Sequence, residues 1–258
     1  MSRQPESKAT QLVERLNRML RAEQRDELEV VRIRRDSQEL RNHEPAIAYV
    51  LQGMLATLDR DHKDMRRCFE AAGRLTPGSA AILYNYAVSL NNLAFFSEAR
   101  EKAYHAYQLN STNLTYLDYA IETAFRSGRF DVATDLLEQR EGLNPTTAHP
   151  TQDTLEHLLE FVRAEQVDLG ELEQFIRLVT GIMQNGHVPE FRGTLELMED
   201  ENSRWIAGMF YVAEDTETVV TMNIHLADAL GASDLSADIR TNASFCYREL
   251  SRDARDAG

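Results

Sequence analysis

The chain predicts a mainly α protein, an α-solenoid of helical hairpins followed by a small α+β module. Three observations carry that class. Residues 46–147 repeat themselves every 34 residues, helical patterns flank this stretch on both sides, and beyond Asn185 the apolar period changes from helical to alternating. A period in this range leaves each unit room for two short helices, which is the mark of a solenoid. With 43% apolar and 27% charged residues, the composition is that of a folded chain.

The repeat is read from paired residues. Ala99 and Ala133 lie 34 apart, as do Phe96 and Phe130, Ala72 and Ala106, and the series Leu75, Leu109 and Leu143. Pro77 and Pro145 are separated by two such steps. The units are therefore Ala46–Ser79, Ala80–Asn113 and Leu114–Thr147. Small residues mark close backbone crossings: Gly53 and Ala87 in the first helices, Ala72, Ala99, Ala106 and Ala133 in the second. Tyr86, Leu90, Phe69 and Leu137 interdigitate between them at helical spacing. Arg60-Asp61, Ala94-Phe95 and Ser127-Gly128-Arg129 are the turns within the units, and the prolines end the second helices.

These residues resemble the tetratricopeptide repeat (TPR) family. Tyr49, Gly53, Phe69, Ala72 and Pro77 stand at the family's spacings in the first unit. Tyr86-Ala87, Leu90, Phe96, Ala99 and Ala106 do so in the second, and Ala120, Gly128, Phe130, Ala133, Leu137 and Pro145 in the third. Ser111 replaces a closing proline and Arg140 replaces a small residue. The resemblance implies that the first helix of each unit lines a concave channel for an extended peptide or a partner's helix. Carried over by register, the partner-binding residues are Val50, Met54 and Thr57, then Tyr84, Val88, Asn91 and Asn92, then Asp118, Glu122 and Arg126. The family's clamps for chaperone C-termini rely on Lys and Arg. Here Asp118 and Glu122 occupy such places, so the implied ligand is a basic or amphipathic segment of another protein.

The flanking elements follow in order. Residues 1–45 carry a helical pattern (Leu12, Leu16, Met19, Leu20, Leu28, Val31) expected to cap the first unit as one long helix or two shorter ones. The same N-terminal helix can alternatively occupy the channel itself. Residues 148–186 read as a degenerate hairpin cap. It has helices over 151–165 (Leu155, Leu158, Leu159, Val162) and 169–184 (Leu172, Phe175, Ile176, Val179, Met183). A solenoid needs such polar-faced ends. Residues 187–258 form the α+β module. Phe191, Gly193, Leu195 and Leu197 alternate with polar residues, 205–213 is aromatic and β-branched, and 220–226 alternates again, which predicts an antiparallel meander. Val219, Met222, Leu226 and Leu230 also make a helical stripe, but strand through Leu226 is the expectation. A helix from Ser233, with Leu235, Ile239, Ala243, Cys246 and Leu250 inward, should cover the sheet, and 252–258 a loose tail.

Charge and motifs narrow the function. Net charge is −14, and it is uneven. Residues 151–258 hold 8 Lys and Arg against 21 Asp and Glu, whereas 1–42 hold 10 against 8. Nucleic-acid binding through the acidic half is disfavoured, because phosphates repel that surface. Apolar runs fall well short of the roughly 18 residues of a membrane span. With no apolar signal segment at the start, the expected location is cytoplasmic. Cys68 and Cys246, in apolar helical patterns, are expected to be buried thiols. No phosphate loop, HExxH, CxxC pair or GxSxG occurs. The sequence therefore predicts a non-enzymatic adaptor or scaffold with no cofactor, for which a homodimer through the module is compatible. The competing class is an enzyme or ligand sensor whose site lies in the module, where His187 and His225 are the candidate histidines. Glu199-Asp200-Glu201 is read as a solvated turn.

Overall fold

The computed structural model describes residues 7–21, 26–186, 188 and 190–250. The polar start, the tail from Ser251 and His187 lie outside the described residues. Among those described, ten helices run in pairs: α1 (Lys8–Arg21), α2 (Glu27–Leu40), α3 (Pro45–Leu58), α4 (His62–Leu75), α5 (Ala80–Asn92), α6 (Phe96–Leu109), α7 (Leu114–Arg126), α8 (Phe130–Leu143), α9 (Gln152–Ala164) and α10 (Leu169–Asn185). The chain is a helical solenoid of paired helices, and the three repeat units are the hairpins α3–α4, α5–α6 and α7–α8. Polar caps start many of these helices. Asp61, Ser79, Asn113 and Asp168 accept a hydrogen bond from a first-turn N–H and satisfy a donor that has no partner within the helix.

The turns repeat more faithfully than the side chains. Arg60, Ala94 and Gly128, spaced by 34, all have positive φ (59°, 63° and 78°). The next residue in each turn closes back on the helix: Asp61 N–H donates to Ala56 O, Phe95 to Leu90 O and Arg129 to Ala124 O, at 2.9–3.0 Å. This is the left-handed Schellman stop, which uses up carbonyls stranded at a helix end. The hairpin α9–α10 keeps it. Gln166 has φ 54°, and Val167 N–H donates to Val162 O at 3.0 Å. Gln166 lies 38 residues after Gly128, four more than the repeat.

Packing explains the residue choices. A Cβ on Gly53 would stand 2.8 Å from the Phe69 ring, so only glycine admits that ring. Phe69 in turn stacks on Tyr86 (4.8 Å between centroids, 5° between planes), tying the first unit to the second. Arg66 makes a two-pronged pair with Glu98 and lies over Phe95. Close crossings end at Arg140, in register with Ala72 and Ala106. Its buried guanidinium donates to Asp118 and to the Thr147 carbonyl, filling the seat where the next backbone would otherwise approach.

α10 instead lies against α6 and the α7–α8 turn. Ile176 and Leu172 close over Gly128, whose added Cβ would come within 2.8 Å of Ile176. Gln184 donates to Ala94 O at 2.8 Å and Arg177 to Ser97 at 2.9 Å. Buried Glu173 pairs with Arg100 at 3.1 Å and Arg177 at 2.8 Å. Burial opposes the Glu173 charge, but hydrogen bonds from Arg100 and Ser97 and the Arg100 charge outweigh it, holding the carboxyl below its usual range.

The module corrects two expectations. β1 (Phe191–Glu199) and β2 (Arg204–Val212) pair antiparallel as read, but 216–232 is a helix, α11 (Thr216–Ala232). Asp215 caps it by accepting the Thr218 N–H at 2.8 Å. Val219, Met222 and Leu226 are buried while Val220 and Ile224 are 53% and 55% exposed, so the helical stripe prevails over strand alternation. The expected C-terminal helix is only α12 (Ala237–Asn242), followed by β3 (Ala243–Glu249), which pairs parallel with β2. Ala243, Phe245 and Tyr247 are buried and Ser244 and Arg248 exposed, a period of two. Cys246 therefore stands half-buried on a strand, not on a helix, whereas Cys68 is buried on α4. A parallel pair needs a long crossover, which α11 and α12 supply. The mixed sheet, ordered β1-β2-β3, is no meander. One of its faces joins the helical core, with Phe245 against Phe175 and the Tyr247 hydroxyl donating to Val179 O.

Candidate functional site

Repeat register sets the first helices side by side, and a cavity of about 630 Å³ opens where α5 and α7 face the rest of the chain. Tyr84, Val88, Asn91 and Asn92 of α5 border it, with Asp118, Glu122 and Arg126 of α7. Thr57 joins them from α3, its hydroxyl turned back to Gly53 O at 2.9 Å. The other two residues assigned by register, Val50 and Met54, do not border it. They are buried in the apolar cluster that Leu12 and Leu16 of α1 complete. α1 thus covers the first unit and reaches the second, where Asn17 donates to Asn85 at 2.9 Å.

Two walls of the cavity come from outside the repeats. Met19 and Leu20 of α1 form one, and Glu190, Phe191 and Arg192, leading into β1, form the other. Sequence reading held the first as an alternative, the N-terminal helix entering the channel, but missed the second, because nothing in a repeat period reports a contact from another region. It also missed Arg60 and Tyr119. Arg60 has positive φ in the α3–α4 turn, and from there its guanidinium reaches the end of α5, donating to Asn92 O at 2.6 Å.

The lining is aromatic and of mixed charge. Tyr84 sits 5.2 Å from both Tyr116 and Tyr119, ring to ring. Burial, with Tyr84 adding to it, raises the Tyr116 phenol above its ordinary value. Glu122 pairs with Arg126 at 3.1 Å along α7, and Asp118 is held by Arg140 at 2.5 Å. Asn92 donates to Val88 O at 2.9 Å. Asn91 borders the cavity, and its Oδ1 is buried and accepts no hydrogen bond among the described residues. Behind Asp118, His149 is buried and accepts the Thr151 N–H at 3.2 Å. Burial lowers its pKa, Arg140 adds to this, and Asp118 works against it.

The remaining candidates are elsewhere. His225 borders a second cavity of about 660 Å³, with Asp215, Glu217 and Met222. Asp200 of the acidic turn accepts the N–H groups of Asn202 and Ser203, both at 2.8 Å, and so organises the β1–β2 connection. The Cys68 thiol is pushed up to about 11, chiefly by burial, with the Asp64 charge adding to it. That leaves it a poor nucleophile at neutral pH. Among the described residues, no cluster of three or more His, Cys, Asp or Glu is placed to hold a metal, and no helix is long and apolar enough to cross a membrane. No protein-family model matches this chain, and no curated protein matches it.

Proposed function

We propose that this chain is a non-catalytic scaffold of the TPR type that holds a segment of a partner protein in the cavity between its first helices. A scaffold built from paired helices suits protein binding in general. The finer reading rests on one observation: eight residues assigned to a peptide channel by repeat register border a single cavity with an aromatic centre and both signs of charge. Tyr84 and Tyr119 offer flat apolar surface, Asn91 an acceptor for a backbone N–H, and Asp118 and Glu122 carboxylates for a basic side chain. The acidic balance of the chain favours such a partner through long-range attraction.

Affinity purification of the full chain from its native cells, with the double variant Tyr84→Ala/Asn91→Ala in parallel, tests this. The expected result is a partner recovered with the native chain and lost with the variant. A partner kept by both would refute the cavity as its site. The competing reading, a ligand or catalytic site in the module, is favoured by the cavity beside His225. It requires that His225→Ala abolish an activity that the double variant retains.

A further inference from the structure

We infer that the cavity takes its partner as an extended strand, added to the open edge of β1 as the fourth strand of the sheet. The inference rests on the protein-binding reading above and specifies how the partner is held.

The order β1-β2-β3 leaves two sheet edges, and the molecule treats them differently. At β3 the Asn223 side chain donates to Tyr247 O and accepts from Tyr247 N–H, both at 3.0 Å. One amide of α11 thus stands in for a neighbouring strand and blocks pairing there. Among the described residues no side chain is bonded to the outer backbone of β1 in this way, although α9 packs against part of the strand. Its register with β2 is set by Ala213 N–H bonding Glu190 O at 3.0 Å and, at the other end, by Asp200 N–H bonding Ser203 O at 2.9 Å. Antiparallel pairing alternates, so residues 192, 194, 196 and 198 face β2, while the backbones of Phe191, Gly193 and Leu195 point away from it. Among the described residues, those three make no backbone–backbone bond outside the strand ladder. Gly193 has no side chain and is partly exposed, so some of its backbone reaches solvent.

The open edge begins at the cavity. Phe191 borders it, whereas α9 meets the strand pair toward the far end, where Arg204, opposite Glu199, lies over Phe161. A strand leaving the cavity along β1 would bond the outward N–H and C=O groups of Phe191 and Gly193. Its alternate side chains would point toward the tyrosines and toward Asp118 and Glu122, so the fitting partner carries a Lys or Arg among apolar residues at a spacing of two.

Twelve-residue peptides selected on the full chain from a random display library are the probes. Two readouts are used: affinity after N-methylation of alternate peptide residues, and hydrogen exchange of individual amides in the full chain. The expected result is a loss of about tenfold or more for methylation in one alternation but not the other. The Phe191 and Gly193 amides should exchange fast in the free chain and become protected with peptide, while those of Arg192 and Thr194 are protected throughout. Peptides that tolerate both methylation patterns and leave the Phe191 and Gly193 amides unchanged overturn strand addition. If such peptides still fail on Tyr84→Ala/Asn91→Ala, the cavity reading survives alone. If they bind that variant as well as the native chain, or if no peptide is selected, both readings fall.

Discussion

The three stacked hairpins and the segment from α9 to β3 are built of similar residues but on different logic. In the hairpins the marks recur: alanines at the crossings (Ala72 and Ala106, Ala99 and Ala133) and a left-handed stop at Arg60, Ala94 and Gly128. In the later segment each contact is made once. Gly128 beneath Ile176, Glu173 between two arginines, and Asn223 on the Tyr247 backbone have no counterpart 34 residues away. Periodic contacts can be lost singly and leave the pattern standing, whereas a unique contact is the whole specification of how two parts dock. The comparison predicts that stability is most sensitive where the two logics meet.

The largest effect is expected at Gly128. A branched residue there suffers its positive φ and drives into Ile176 and Leu172. Gly128→Val should cost about 4 kcal/mol, combining left-handed strain with overpacking, read by denaturant unfolding. Glu173→Ala comes next. It strands Arg100, which is 14% exposed, beside a lost carboxylate, and removing one partner of a buried pair costs about 3 kcal/mol. The two sites share the α10 interface, so the double variant should not be additive.

Much of the first region was legible in the sequence, because 34-residue spacing fixes both the small residues and which faces line a channel. Eight of the ten partner residues placed by register border the cavity. Val50 and Met54 do not, since α1 lies over them, and no repeat pattern announces a helix from outside it. The fourth hairpin lost its side-chain marks while keeping its turn, as Gln166 shows; backbone geometry tolerates residue types that a motif does not. In the module, 216–226 fits both periods over a short run, and long-range pairing with β2 decided 243–249 in favour of strand. Glu190, Phe191 and Arg192 border the cavity from about a hundred residues beyond Tyr84 in sequence, a contact that local patterning cannot report.

A gain should come from that surviving turn. Gln166 is exposed at φ 54°, so Gln166→Gly relieves left-handed strain and should stabilise the chain by about 1 kcal/mol, visible as a raised denaturation midpoint. A smaller, pH-dependent effect distinguishes His149 from Glu173. His149 is depressed below its ordinary 6.5, so an unfolded chain takes up that proton first. Its contribution to stability therefore falls as pH drops from about 6.5 toward the lowered folded value. Glu173 is also depressed, from 4.5, so its contribution is present above that value and is lost only as pH falls through its folded pKa. Thermal unfolding across pH 7 to 3 should show two declining stretches. His149→Gln should flatten the upper one, and Glu173→Gln the lower.

The most direct test of the central claim, that a partner polypeptide lies between α5 and α7, is photocrosslinking from inside the cavity. A benzophenone side chain at position 84, compared with one at position 104 on the exposed face of α6, is activated in the native cells. The account predicts a covalent adduct with another polypeptide from position 84 and none from position 104. Equal yields from both positions, or adducts from position 104 alone, would contradict it.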